Sequence, residues 1–255
     1  MTKIAAMEEG QDLAVRVKGL TVAFGAFHAI DDVDLEVGGN HLHFLIGPNG
    51  AGKTTLIDAI TGLVPYTGTI SVGGRALARM TVQDIARFGV GRTFQTATVF
   101  ERQTVVQNLD IALRGGRHWA SLLTLRREVP ERIEEILEII GLAGHADELA
   151  GVLSHGQKQW LEIGMVLAAN ARVILLDEPV AGMTLDEREA TGELLRRICP
   201  DRVVMVVEHD MDFMRRFADA VTVMSRGQVL VEGSVEQIQA NQQVQDTYLG
   251  VAEAV

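Results

Sequence analysis

The chain has 255 residues and carries 23 Lys+Arg against 34 Asp+Glu, a net charge of −11. That length allows one large domain or two small ones with a full core, and an acidic chain without a dense basic stripe argues against nucleic acid as its main partner. Cys199 is the single cysteine, which excludes an internal disulfide and fits a reducing compartment, and no run approaches the ~18 apolar residues of a membrane span.

Residues 1–12 are polar, include Glu8 and Glu9 and lack the apolar core of a signal peptide, so they are expected to form a loose tail. Three runs, 13–17, 20–24 and 33–37, alternate apolar and polar residues between Gly25, Gly38 and Gly39. This pattern predicts antiparallel strands with one buried face. His41 and His43 lie two apart on the next strand and share a face. Two histidines without further ligands make a poor metal site, so both are read as structural.

Residues 42–46 predict a short apolar strand. It leads into Gly47-Pro48-Asn49-Gly50-Ala51-Gly52-Lys53-Thr54-Thr55, and a helix is predicted over 53–61. The spacing is that of a phosphate-binding loop. Gly47, Gly50 and Gly52 permit positive φ and let backbone N–H groups approach a polyphosphate. Lys53 supplies a compact positive charge for the outer phosphates, and the Thr54 hydroxyl is a hard oxygen suited to Mg²⁺. The helix dipole faces the same anion. Phe24, upstream of the loop, fits either core packing or stacking on an adenine ring.

Residues 67–72 with Gly73-Gly74 predict a further hairpin, and Val90-Gly91-Arg92-Thr93-Phe94-Gln95 ends in a polar residue at a strand-to-loop junction. From about 104 to 141 the pattern turns helical. Val129, Ile133, Ile136, Leu137 and Ile140 form one apolar stripe, opposite a solvated face of Glu131, Arg132, Glu134, Glu135 and Glu138. Arg114, Arg117, Arg126 and Arg127, around Gly115-Gly116 and Trp119, are read as a solvated loop. The block reads as a helical insertion into an α/β core.

Leu153-Ser154-His155-Gly156-Gln157 opens a helix expected to bury Trp160, Ile163 and Leu167, with Ser154 and Gln157 as a capping box and a second anion site at its start. Residues 173–176 form a continuous apolar strand ending in Asp177-Glu178-Pro179. Residues 203–207 form another, ending in Glu208-His209-Asp210. Acids at buried strand ends are costly without a task, and open α/β sheets bind ligands at that edge. Asp177 can hold Mg²⁺, Glu178 can accept a proton from water, and His209 can reach a γ-phosphate. An amphipathic helix at 186–198, a hairpin of 220–224 and 228–231, and a helical segment from 234 towards Leu249 complete the pattern.

The phosphate loop, Gln95, Leu-Ser-His-Gly-Gln, Ile-Leu-Leu-Asp-Glu and His209 occur in this order in ABC-type ATPase subunits, which the chain resembles from about residue 13 to 250. The resemblance implies a phosphate-loop NTPase core, about 13–95 and 161–250, with an N-terminal antiparallel β subdomain and an inserted α-helical subdomain at about 96–160. It also implies a head-to-tail dimer, of this chain or with a paralogue, enclosing two ATP molecules. Residues 47–55 would bind ATP, with Mg²⁺ held by Thr54, Gln95 and Asp177. Glu178 would be the general base, His209 the γ-phosphate switch and Phe24 the adenine stack, with Lys53 and Gln95 assisting hydrolysis. Ser154, His155, Gly156 and Gln157 would meet the ATP of the opposite subunit. The helical block would dock on transmembrane permease subunits at the cytoplasmic face of the membrane, with a solute-binding protein as indirect partner and no nucleic acid.

The runs 91–95, 98–101, 154–165, 178–184 and 206–211 look like the urea transporter's ATP-binding subunit, which makes urea the expected solute and a branched-chain amino-acid importer the alternative. His155 replaces the usual Gly of the signature and Thr184 replaces a frequent Asp, both as in the urea type. Residues 40–44 look unlike the usual approach to this strand. Stand-alone ABC ATPases of DNA repair or translation carry long coiled-coil insertions or tandem halves, neither of which is present. A non-hydrolysing scaffold would have lost Glu178 or Lys53.

Overall fold

The structure is a computed structural model that describes residues 13–115 and 129–246. The expected tail at 1–12, Gly116, Arg117, Trp119, Arg126 and Arg127 of the basic loop, and the end of the chain around Leu249 lie outside the described residues.

The chain opens with β1 (Ala14–Phe24) paired antiparallel with β2 (Phe27–Gly38). The two runs expected at 13–17 and 20–24 are therefore one strand. Its register shifts between Val17 and Leu20, where Gly19 takes φ 56 and donates its N–H to Asp34 Oδ1 at 2.6 Å. Such a bulge changes the phase of the apolar alternation without ending the pairing. Next come β3 (Leu42–Ile46) and, past the phosphate loop, α1 (Lys53–Ile60). The hairpin β4 (Thr67–Val72) and β5 (Arg75–Ala76) returns to the first sheet, giving the order β2-β1-β4-β5.

Then α2 (Val82–Phe88) and β6 (Val90–Arg92) precede the helical block, α3 (Val105–Arg114), α4 (Glu131–Ile139) and α5 (His155–Ala168). The remainder alternates: β7 (Val173–Asp177), α6 (Leu185–Ile198), β8 (Val203–Val207), α7 (Met211–Phe217), β9 (Ala220–Ser225), β10 (Gln228–Gly233) and α8 (Val235–Ala240). Six strands form a second sheet in the order β10-β9-β3-β8-β7-β6, parallel except for β10 at one edge.

Every residue of β3, β7 and β8 is buried, and their side chains divide by alternation between two cores. Ile174, Leu176, Val204 and Val206 face the core built with α3, α4, α5 and α6. Val173, Leu175, Val203 and Met205 face the core built with β1, β2 and α1. Burial on both faces accounts for the unbroken apolar runs. The parallel arrangement brings the C-terminal ends of β3, β6, β7 and β8 to one edge, which carries the candidate site.

Two expected burials are corrected. Val129 precedes the first turn of α4 and is exposed, while Ile133, Ile136, Leu137 and Ile140 are buried. Trp160 is half-buried, with its indole Nε1 donating to the buried Thr191 Oγ1 at 2.9 Å. Residues 40–44 have a local explanation. Asn40 takes φ 63, its Oδ1 accepts from the amide of Asp201 at 2.6 Å, and its own amide donates to Arg202 O. This ties the start of β3 to the start of β8. His41 lies outside β3 and is exposed, whereas His43 is buried against Thr222 Oγ1 at 2.8 Å.

Candidate active site

The phosphate loop is wedged between distant segments of the chain. Gly47 has φ 153, and a Cβ there would lie 2.2 Å from Met224 O. Gly52 has φ 100, and its Cβ would lie 2.6 Å from Ala29 O. Both positions therefore exclude any side chain. Gly227 N donates to Ala51 O at 3.0 Å and Asp31 N to Gly227 O at 2.9 Å, so β2 and the β9–β10 turn brace the loop from outside. Lys53 reaches back over the loop, its Nζ donating to Gly47 O at 2.7 Å and Pro48 O at 3.0 Å. Burial lowers its pKa, against the opposing pull of Glu178, Asp177 and Glu208.

Those three acids stand at the ends of β7 and β8. Asp177 is buried, and burial raises its pKa, while Arg92 and a hydrogen bond from Thr54 lower it. Glu178 follows with φ 50, a left-handed conformation that costs a non-glycine residue about 1–2 kcal/mol. The turn presents its carboxylate to two groups from other elements. Gln95 Nε2 donates to Glu178 Oε2 at 3.0 Å, and His209 Nδ1 lies 3.5 Å from Glu178 Oε1. Three residues expected from the sequence to act together are thus brought together around one carboxylate. Such a group can take a proton from a water held beside it.

Among the described residues, no cluster of three or more His, Cys, Asp or Glu can hold a metal ion. Asp177 and the hydroxyl of Thr54 instead make a sparse set of hard oxygens, suited to Mg²⁺ that draws its remaining ligands from phosphate and water. Phe24 is 53% exposed on the rim of the first sheet, which removes the core-packing reading and leaves its ring free to stack.

Three groups escaped the sequence reading. Arg92 bridges Asp58 and Asp177, the latter at 3.2 Å, and its guanidinium lies 5.0 Å from the centre of the Phe94 ring. Glu208, 1% exposed, accepts the amides of Val180 at 3.3 Å, His209 at 3.0 Å and Asp210 at 3.3 Å. It thereby joins the turns after β7 and β8; burial raises its pKa and those amides lower it. Glu162, on α5, accepts the amide of Thr98 at 3.1 Å. The available signals were a charged residue inside an apolar run for Glu162 and at the end of one for Glu208, while Arg92, between Gly91 and Thr93, carried none.

Ser154 caps α5, its Oγ accepting from Gln157 N at 3.2 Å while Gln157 Oε1 accepts from Ser154 N at 2.9 Å. Ser154 Oγ also donates to Glu187 Oε1 at 3.2 Å, and a Cβ on Gly156 would lie 2.8 Å from that oxygen. His155 Nε2 lies 3.1 Å from Ala181 O. Thr184 caps α6 and binds Glu187, which accounts for a hydroxyl at that position. The starts of α5 and α6 therefore interlock.

Residues 30–181 match the sequence model of the family described as ABC transporter. Over 248 residues the chain is 36% identical to the high-affinity branched-chain amino acid transport ATP-binding protein LivG of Escherichia coli (strain K12), covering 92% of this chain and 97% of that protein. It is 34% identical to the corresponding protein BraF of Pseudomonas aeruginosa, covering 93% and 98%. The ADP conformation of MJ1267, an ATP-binding cassette of an ABC transporter, superposes with a TM-score of 0.82 at 29% identity, covering 93% of this chain and 99% of that one. These relatives overturn the expectation of a urea-type subunit. The residues behind that expectation pack internally: His155 on Ala181, Trp160 on Thr191 and Thr184 on Glu187. They carry no information about a solute.

Proposed function

The chain belongs to the ABC transporter family and is an ATP-binding, ATP-hydrolysing domain, and on that premise we propose that it powers an importer of branched-chain amino acids. The observation that carries the mechanistic half is the meeting of Gln95 and His209 on Glu178 beside the phosphate loop. The solute half is supported by LivG and BraF, which align along nearly the whole chain. In this reading the amides of Gly47, Asn49, Gly50, Ala51, Gly52, Thr54 and Thr55 and the ammonium of Lys53 hold the phosphates, Pro48, which has no N–H, shapes the loop, and Phe24 stacks on adenine. Thr54, Asp177 and Gln95 hold Mg²⁺, which when bound neutralises phosphate charge. Glu178 orients and deprotonates the attacking water, and His209 senses the γ-phosphate.

Ser154, His155, Gly156 and Gln157 close on the ATP of a second ATPase subunit, identical or paralogous. Transmembrane permease subunits and a solute-binding protein complete the assembly, with the chain peripheral to the inner face of the membrane. Closure on ATP and reopening after hydrolysis bias the permease between its two facings.

Glu178→Gln keeps the shape but removes the basic oxygen. ATP binding should persist while turnover falls by ~10² or more, with a dimer trapped by uncleaved ATP. Near-normal turnover would remove Glu178 from the mechanism. For the solute, the chain purified with its permease partners should be stimulated by a leucine-loaded binding protein. Stimulation by a sulfate-loaded one instead would overturn the assignment.

A further inference from the structure

The loop that carries Gln95 is gripped by a carboxylate with no role assigned above. Glu162 lies in the middle of α5 between Leu161 and Ile163 and is 4% exposed. Its Oε1 accepts the amide of Thr98 at 3.1 Å, and the carboxylate also takes a hydrogen bond from the backbone of Phe94. These two amides flank Gln95. Its Oε2 is buried without a hydrogen-bond partner among the described residues. The carboxylate forms part of the wall of an apolar cavity of about 380 Å³, lined also by Leu63, Ile85, Arg92, Phe94 and Val166. Arg92 is the other charged group of that wall, and it is committed to Asp58 and Asp177.

Burying a carboxylate with one unsatisfied oxygen is expensive, and an apolar residue would suit this wall better. What the carboxylate provides is a fixed distance between α5 and the backbone on both sides of Gln95. The same helix begins at Ser154, and Gln95 ends on Glu178. Farther along the loop the grip is different: Lys158 pairs with Glu101 at 2.8 Å and Asn108 Oδ1 accepts the amide of Phe100 at 2.7 Å. We infer that Glu162 is a positioning residue for ATP hydrolysis, tying the Ser154 helix to the Gln95–Glu178 contact so that displacement of α5 is delivered to Glu178. The inference rests on the roles proposed above for Gln95 and Glu178.

The test compares Glu162→Gln with Glu162→Leu in the full-length protein. The Gln variant keeps an oxygen for the two amides and should retain at least about half of the wild-type kcat, whereas the Leu variant should lose about tenfold in kcat with KM for ATP within about twofold. Hydrogen exchange of residues 94–98 should accelerate in the Leu variant and not in the Gln variant. Thr98→Pro removes one donor from the loop side and should also lower kcat, with α5 intact. The inference is overturned by unchanged kcat in Glu162→Leu, by Glu162→Gln failing equally, or by a KM rise that matches the kcat loss. Glu178→Gln run in parallel separates the two ideas. If it turns over normally the assignment of the base is at fault, while the exchange data still report whether Glu162 holds the loop.

Discussion

Glu178 sits in a left-handed turn whose shape is set by Glu208, a residue the sequence reading passed over. The motif residues at the sheet edge were legible because each combines an unusual type with an unusual place: an acid or a histidine at the end of an apolar run. Arg92 was not legible, since its value lies in Asp58 and Asp177, far away in sequence, and Glu208 was visible at the end of such a run while its bond to the distant Val180 was not. Arg92 illustrates the energetic stake. The side chains of Arg92 and Asp177 are only 9% and 7% exposed, so removing Arg92 leaves the Asp177 carboxylate without its cation, whereas Arg92 keeps Asp58 if Asp177 is removed. Arg92→Met should cost about 3 kcal/mol in denaturant unfolding, and adding Asp177→Asn should recover part of that loss. Additive losses in the double variant would mean that the pair is not coupled.

At the scale of elements, the caps were the most readable feature. Ser154 with Gln157 was assigned from spacing and occupies the expected geometry. The fusion of two expected runs into β1 was hidden because a bulge at Gly19 resembles a turn in sequence. The start of α5 also separates folding from chemistry. Asp caps a helix about as well as Ser but cannot donate to Glu187 Oε1 as the Ser154 hydroxyl does, so Ser154→Asp should cost only about 1 kcal/mol of stability. If Ser154 meets the phosphate of a second subunit, the added negative charge should nevertheless abolish most ATPase activity. Thermal unfolding and turnover measured on one sample decide between the two roles. Unchanged turnover would confine Ser154 to capping.

The whole molecule is two cores sharing one sheet, and one buried ionisable group in each half sets an opposing response to pH. Burial, with a smaller push from His41, lowers His43 from 6.5 to about 4, so the unfolded chain alone binds that proton between those values. This cost, up to about 3 kcal/mol, is full below pH 4 and vanishes above 6.5. Burial raises Glu162 from 4.5 to about 7 against hydrogen bonds from Thr98 and Phe94, so here the folded chain alone holds the proton. That cost is absent below pH 4.5 and full above 7. The slopes cancel between about pH 4.5 and 6.5, where these two groups should leave stability nearly flat. Relative to wild type, the stability of Glu162→Gln should rise with pH across that window and that of His43→Gln should fall, the raised carboxyls of Asp177 and Glu208 cancelling in each difference. Parallel profiles for the two variants would contradict these assignments. The fold was legible at this scale because burial on both faces writes continuous apolar strands into the sequence. The solute was not, because the residues taken as its mark serve packing inside the ATPase.

The bracing of the phosphate loop also limits how the chain can be recombined. Nine residues suffice to recognise the loop in a sequence, yet its shape depends on Ala29, Asp31, Met224 and Gly227, nearly two hundred residues apart. A chimera that exchanges only residues 47–55 with a relative should therefore bind nucleotide worse than one that also carries 27–31 and 224–228 across. The loop is inherited as part of a three-segment unit, and horizontal shuffling of such subunits must respect joints that no local alignment displays.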